Sequence, residues 1–436
     1  MNLLQGQVAR ITRWCVAAVL VGVAGQASAE LEITVRGGTE RAIPVAVVPF
    51  AGNDGAPVDV ARIIDNNLER SGLFEPLPRA DMLEQPADPE SVRLRNWRTL
   101  GVEYLVVGEL RANNVTRFHL IDVFKGERML AYDMPAPSRP EQLRYTAHDI
   151  SDLVFEGITG YEGVFNTRIA YVTSRGSADN QRFQLVVSDA DGYNPRTLVS
   201  SSEPIMSPAW SPDAREIAYV IYREGRSAVR VVNVANGDSR SIVSEPGING
   251  SPAWSPDGSR MAVTLSYEDN PDVYVIDLDS GKKNRLTTHW GIDTEADWSP
   301  DGKQLVFTSD RGGSPQIYRM AADGSGSPQR VTFESKQNLR ASYAPDGKSL
   351  VLVHQGGSGY QIALYDLQRE SIIRLTDGRL DESPSFAPNG QMVIYATRGA
   401  GGAELATVTV DARVRQNLRQ AGNVREPAWS PFLDPR

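Results

Sequence analysis

Two kinds of hydrophobic patterning divide the chain. Up to about residue 163, apolar positions recur at both strand and helix spacing. Leu31, Ile33 and Val35 alternate with polar neighbours between Glu30 and Arg36, a strand pattern. Residues 44–50 (PVAVVPF) make a nearly unbroken apolar run, as in a buried strand. Positions 60, 63, 64 and 68 then share one helical face within 58–71, and Gly72 stops that helix. Asp88-Pro89-Glu90 starts a second helix that runs to about Leu100 and closes at Gly101. Residues 104–107 read as a buried strand, and 118–124 with 129–132 as a hairpin around Lys125-Gly126. Pro140 opens a last helix, to about Thr159, ended by Gly160. The order β-α-β-α-β-β-β-α predicts a small α/β domain over 30–163.

From Asn166 the helical period vanishes, and one short phrase recurs six times. It reads PAWSPDA at 208–214, PAWSPDG at 252–258, ADWSPDG at 296–302, ASYAPDG at 341–347, PSFAPNG at 384–390 and PAWSPFL at 427–433. Its aromatic residues, Trp210, Trp254, Trp298, Tyr343, Phe386 and Trp429, are 43 to 45 positions apart. Each interval holds four strand-like runs: the phrase itself (A), an apolar run such as 217–221 or 261–265 (B), a second such as 229–234 or 273–278 (C), and an outer one such as 284–287 or 372–376 (D). Hairpin dipeptides (Asp191-Gly192, Asn236-Gly237, Ser280-Gly281, Asp323-Gly324) separate C from D. A fixed period of this length with four strands per unit predicts a mainly β fold: a six-bladed β-propeller over 164–436 beside the α/β domain.

The A and B runs are out of step. The first B run, at Ile169, has no A run before it, and the last A run, at Pro427, has no B run after it. Residues 427–430 are therefore expected to complete the blade begun at Ile169 and to close the ring.

The leading residues change the picture of where the fold works. Arg10 and Arg13 precede an apolar stretch at 16–25, short of the ~20 residues that span a bilayer, and Ala27-Ser28-Ala29 is a small-residue cleavage site. We read 1–29 as a secretory signal cut before Glu30. Cys15, the one cysteine, falls inside it, so the mature chain is expected to have no disulfide, as suits a bacterial periplasm. The net charge is −9, and −11 once the two signal arginines are gone. An acidic chain with no basic run argues against nucleic acid and favours partners with basic surfaces.

The W-S-P-D-G repeat resembles that of the TolB-type β-propeller family. The whole of 30–436 is similar to the TolB family of the Tol-Pal envelope system: a cleaved signal, a leading strand, a small α/β domain, six blades and a PAWSP terminus. The fourth and fifth copies depart from the pattern, with Y-A-P-D and F-A-P-N. The resemblance implies a monomeric periplasmic scaffold without catalysis or cofactor. It would bind the lipoprotein Pal on a propeller face and TolA through its first mature residues, support outer-membrane constriction at division, and meet the membrane only through partners. Bacteriocin translocation domains are a further implied partner of the same face.

Two regions are expected to carry this. The first is the face where strand D of one blade crosses to strand A of the next. Its loops offer Met206; Ile248, Asn249 and Ser251; Asp293, Thr294 and Glu295; Asn338 and Arg340; Asp381 and Glu382; and Arg425 and Glu426 as the Pal contacts. The second is Glu30, Leu31, Glu32, Ile33, Thr34, Val35 and Arg36, which the Gly37-Gly38 pair separates from the domain. A detachable strand there would add to the edge of a TolA sheet. Alternatively it is an edge strand of the α/β domain, or alternates between the two states. Arg168 and Glu162 stand near the domain junction and could orient it.

The rival class is a propeller-type periplasmic hydrolase or lyase. No G-x-S-x-G elbow occurs, and His119, His148, His289 and His354 are scattered, without H-E-x-x-H. The acids at the channel (Asp293, Glu295, Asp381, Glu382, Glu426) lack histidines beside them, although they could attract a cation. Asp189-Ala190-Asp191-Gly192 has too few ligands for a calcium loop and reads as a hairpin turn; no metal site is expected.

Overall fold

The computed structural model describes residues 34–35 and 42–433, apart from 54, 136–138, 178–179, 358, 400–401, 419 and 421. The expected signal, and Glu30, Leu31, Glu32, Ile33 and Arg36 of the leading strand, lie outside the described residues.

The α/β part is one five-stranded sheet in the order 74–76, 43–47, 104–111, 115–122, 127–135, the first three strands parallel. Alternate residues of the strands face opposite layers. Val45, Val47, Phe118 and Leu120 pack against helices α1 (Val60–Arg70) and α3 (Pro140–Thr159). Ala46, Val48, Leu105 and Val107 pack on Trp97 of the short helix α2 (Leu94–Thr99). Asp59 caps α1 by accepting the Arg62 amide at 3.0 Å, and Gly160, at φ 75°, ends α3.

The second helix is shorter than its sequence pattern. Asp88 holds a single 3₁₀ turn, Pro89–Ser91, and Val92 is then extended. Glu84 accepts from the Arg93 amide at 2.9 Å and from the Trp97 indole at 3.0 Å. These bonds draw the Trp97 ring under the sheet, and the helix restarts only at Leu94.

The remaining strands form six antiparallel four-stranded blades. Blades 2 to 6 run A to D in chain order, with A strands Ile205–Trp210, Asn249–Trp254, Asp293–Trp298, Asn338–Tyr343 and Glu382–Phe386. Blade 1 takes B, C and D from 168–201, and its A strand is Asn423–Trp429, with Trp429 opposite Ile169. The Ser430 amide and the Arg168 carbonyl complete the join at 2.8 Å.

The repeat phrase explains how blades meet. The indole N–H of Trp210, Trp254 and Trp298 donates to the carbonyl of Ala428, Ala209 and Ala253 in the preceding blade, at 3.0 to 3.1 Å. Tyr343 and Phe386 have no such donor. At the join of blades 4 and 5, Asp297 instead accepts the Tyr343 amide at 2.9 Å; at the join of blades 6 and 1, Ser385 accepts the Trp429 amide at 3.0 Å. The Ser-Pro-Asp part is a self-bonded turn. In blade 3 the Ser255 hydroxyl donates to Asp257 at 2.5 Å and accepts the Arg260 amide at 2.9 Å.

The α/β domain rests against the A–B and C–D turns of blades 6 and 1. Asn389 donates to the Glu162 carbonyl at 2.8 Å, so the backbone of Glu162 makes this junction contact. At blade 1, Arg144 of α3 pairs with Asp191 and lies 3.8 Å over the Tyr193 ring, while His148 is 3.8 Å from Asp191. The D–A crossings and B–C hairpin tips lie at the opposite ends of the strands, so the crossing face points away from this domain.

Candidate protein-docking face and channel

Each A strand starts on the crossing face and carries the same irregularity. The ladder slips three residues before the aromatic, and the residue there has positive φ: Ser207, Ser251, Glu295, Arg340, Ser383 and Glu426, at 48 to 55°. Such a bulge re-aims a side chain. Here Ser207, Ser251, Glu295, Arg340 and Ser383 line a central channel of about 550 Å³, with Glu426 next to the lining Pro427.

The charged members meet at its mouth. Arg340 donates to Glu426 at 3.3 Å, and Glu426 also accepts the Ser207 amide at 2.7 Å. Glu295 accepts from Thr308 at 3.0 Å, and the same hydroxyl accepts the Arg340 amide at 2.9 Å. Burial works against the Arg340 charge, but Glu426, Glu295 and Glu382 outweigh it and raise its pKa. Deeper in the channel, burial pushes Asp297 up to about 6.

The expected contact residues sort by exposure. Met206, Ile248, Glu382 and Arg425 are exposed, and Ser251, Thr294, Glu295 and Arg340 are half-buried at the mouth. Asn249, Asp293, Asn338 and Asp381 are buried at the start of four A strands and spend their side chains on bonds within and between blades. Asn249 donates to the carbonyls of Ser227 and Glu245, and Asp293 pairs with Arg311 at 2.6 Å. Asn338 donates to Gln316 at 2.9 Å, and Asp381 accepts from Thr376 at 2.5 Å and Thr397 at 2.6 Å. These four shape the loops rather than present surface. Glu426 is buried by its pairing with Arg340.

The largest exposed side chains of the face are ones the repeat pattern passes over. Trp290 is 76% and Phe333 70% exposed, in neighbouring D–A crossings beside Ile292 and Ile248. Asn270 donates to the carbonyls of His289 and Gly291 at 2.8 and 2.6 Å, so the loop that carries Trp290 is braced. A lone aromatic in an otherwise polar loop was the available sequence signal.

Thr34 and Val35 of the leading strand pair with Arg415 and Val414, the outer strand of blade 6. The docked position is therefore a blade edge and not the α/β sheet expected for an edge strand. Strand D of a four-stranded blade leaves its outer N–H and C=O groups unpaired, and two residues use them.

Among the described residues, one cluster has metal-ligand composition: His148, Asp189 and Asp191. The Arg144 guanidinium already sits on Asp191, and Arg70 is close enough to act on its charge. A cation there would meet two guanidinium groups, so the cluster works as an ion-paired domain junction.

Six four-stranded blades beside a small α/β domain define a six-bladed β-propeller class of molecule. The chain matches the TolB amino-terminal domain family over residues 31–129 and the TolB β-propeller domain family over 155–433. It is 54% identical over 423 residues to the Tol-Pal system protein TolB of Alkalilimnicola ehrlichii, covering 95% of this chain and 98% of that one. It is 52% identical to the namesake of Xanthomonas oryzae over 412 residues, 92% of this chain and 93% of that one. The crystal structure of TolB from Acinetobacter baumannii superposes with a TM-score of 0.84 at 39% identity, covering 92% of this chain and all of that one. The chain belongs to the TolB family of Tol-Pal system proteins.

Proposed function

We propose that this chain is a non-catalytic periplasmic scaffold that docks Pal on the crossing face and offers its leading strand to TolA. The observation that carries the first half is a rigid face, braced by buried polar side chains, that leaves Trp290, Phe333, Ile248 and Ile292 exposed around a charged channel mouth. Large aromatics on a rigid support are the residues that carry binding energy at protein interfaces. Met206 adds to these apolar contacts, and Ser251, Thr294, Glu295, Arg340, Glu382 and Arg425 form the polar rim of this site. The pairing of 34–35 with 414–415 supports the second half. A strand held on a blade edge by main-chain bonds can be exchanged onto a partner's sheet edge. Such a scaffold supports envelope constriction at division, and the same face would serve bacteriocin domains.

The test mixes the mature protein with the soluble part of Pal. A complex of micromolar affinity or tighter supports the reading. Hydrolysis of peptides or esters without a complex supports a propeller hydrolase instead. Deleting residues 30–38 is expected to abolish TolA binding and leave Pal binding intact; loss of both would count against two separate sites.

A further inference from the structure

Trp290 owes its place to the residue before it. The imidazole Nδ1 of His289 accepts the Gly291 amide at 3.0 Å, so the ring closes a turn around Trp290, and the two rings stand 5.0 Å apart. The rest of this crossing is held by the B–C hairpins of blades 3 and 4. Asn270 of blade 3 donates to the carbonyls of His289 and Gly291. Asp310 of blade 4 accepts the Ile292 amide at 2.7 Å, and its own amide donates to the Ile292 carbonyl at 3.3 Å. A Cβ on Gly291 would fall 2.7 Å from an Asp310 carboxylate oxygen, so the loop also has no room to shift. Every main-chain group from the Gly291 amide to the Ile292 carbonyl therefore has a partner, and an indole that is 76% exposed stands on a braced backbone.

One of these braces depends on a proton in the physiological range. An accepting ring nitrogen carries no hydrogen, so the Gly291 bond requires the neutral imidazole with its proton on Nε2. A protonated ring donates from both nitrogens and sets N–H against N–H at Gly291. The charged groups on the surrounding segments are mostly engaged elsewhere. Glu268 and Asp272 share Arg285 at 2.7 and 2.5 Å, Lys283 pairs with Glu245, and Arg311 pairs with Asp293 at 2.6 Å. That leaves Asp310 on the Ile292 amide, the exposed Asp269 beside Asn270, and Glu334 and Lys336 in the next crossing. None of them is bonded to the His289 ring, whose one hydrogen bond among the described residues is to Gly291.

We propose that His289 is a positioning residue for docking on the crossing face, holding Trp290 ready while neutral and releasing it when protonated. The inference rests on the reading of this face as the Pal surface and adds its regulation. Histidine is the side chain that changes charge between about pH 5 and 8. An anchor fixed before contact loses less freedom on binding than one that must first be ordered. Release of the loop therefore weakens docking without removing any contact residue, and the partner is held less tightly as the surroundings acidify.

The experiment follows the mature protein between about pH 5 and 8 with two readouts. The first needs no partner: the fluorescence of Trp290, taken as parent minus W290F, is expected to change in one step that H289N lacks. Asparagine keeps an oxygen to accept the amide two residues on but has no proton to gain. The second is the Kd for the soluble part of Pal. In the parent it is expected to rise roughly three- to tenfold from about pH 7.5 to 5.5, as for one lost hydrogen bond. H289N is expected to lack that rise, and H289A to bind at the higher pH as weakly as the parent does at the lower. A Trp290 signal without a step, or an acid loss in H289N equal to the parent's, overturns the proposal. A fluorescence step with a Kd that ignores pH overturns the docking role of His289. No complex at either pH overturns the reading of the face, and this regulation with it.

Discussion

Glu426 of blade 1 and Arg340 of blade 5 meet at 3.3 Å across the channel mouth, past the intervening blade 6. The pair ties together blades that share no strand pairing, and Glu426 carries the link on to blade 2 through the Ser207 amide. R340A would leave Glu426 buried beside only Ser207. We expect a loss of about 1–2 kcal/mol in urea unfolding, held down because Arg340 is itself about a third exposed. A double-mutant cycle with E426Q should show coupling between the two positions; additive effects would mean the pair holds nothing.

Closure of the ring rests on the tail. Trp429 is buried, its indole donates to Thr167 at 2.8 Å, and its strand pairs with residues 168–175. W429A should cost roughly 3–5 kcal/mol. Truncation after Asn423 should lower the melting temperature sharply, because blade 1 then loses its inner strand. A truncated chain that melts like the parent would mean the ring closes without it.

Gly72 and Val414 hold the two domains at van der Waals distance. A Cβ on Gly72 would fall 2.5 Å from the Val414 side chain, and its φ of 73° disfavours other residues. G72A should destabilise the chain by more than ~1 kcal/mol. Val414 is also the partner of Val35, so hydrogen exchange at 34–35 should rise in the same variant. Unchanged exchange there would separate the strand from the junction.

Asp65 makes the stability depend on pH. Burial raises its pKa to about 7, against the pull of Arg79. The folded chain therefore binds this proton more readily than the unfolded chain, whose group titrates near 4. Its contribution is complete below about pH 4 and fades as pH rises through 7. Asp152, raised by burial to about 7, and Asp189, raised by burial to about 6, act in the same direction. D65N should be the more stable protein at pH 8, and its advantage should be gone at pH 4. An equal advantage at both values would rule out the titration.

Trp290 tests the docking face without disturbing the fold. At 76% exposure, truncation should leave the melting temperature within about one degree. W290A should weaken Pal binding by about 1–3 kcal/mol. Equal affinity of the two proteins would move the interface elsewhere.

Much of this molecule could be read along the chain because the information is local and repeated. The phrase around Trp210, Trp254 and Trp298 encodes a strand, a turn and an inter-blade hydrogen bond within seven residues, so its period announces the propeller. Helix ends such as Gly160 are written the same way. The site was legible only as a set of loops. Asn249 and Ile248 are adjacent in the chain, yet one is buried and the other exposed. That difference comes from hydrogen bonds to Ser227 and Glu245 of the preceding blade and its crossing loop, which no local pattern contains. Contacts between distant segments were equally silent: Arg340 with Glu426, Gly72 with Val414, and Arg144 with Asp191. Periodicity and turn chemistry act between near neighbours and leave their mark on composition and spacing. Burial, ion pairing and surface charge depend on which residues the ring brings face to face, and that exists only once the blades have closed.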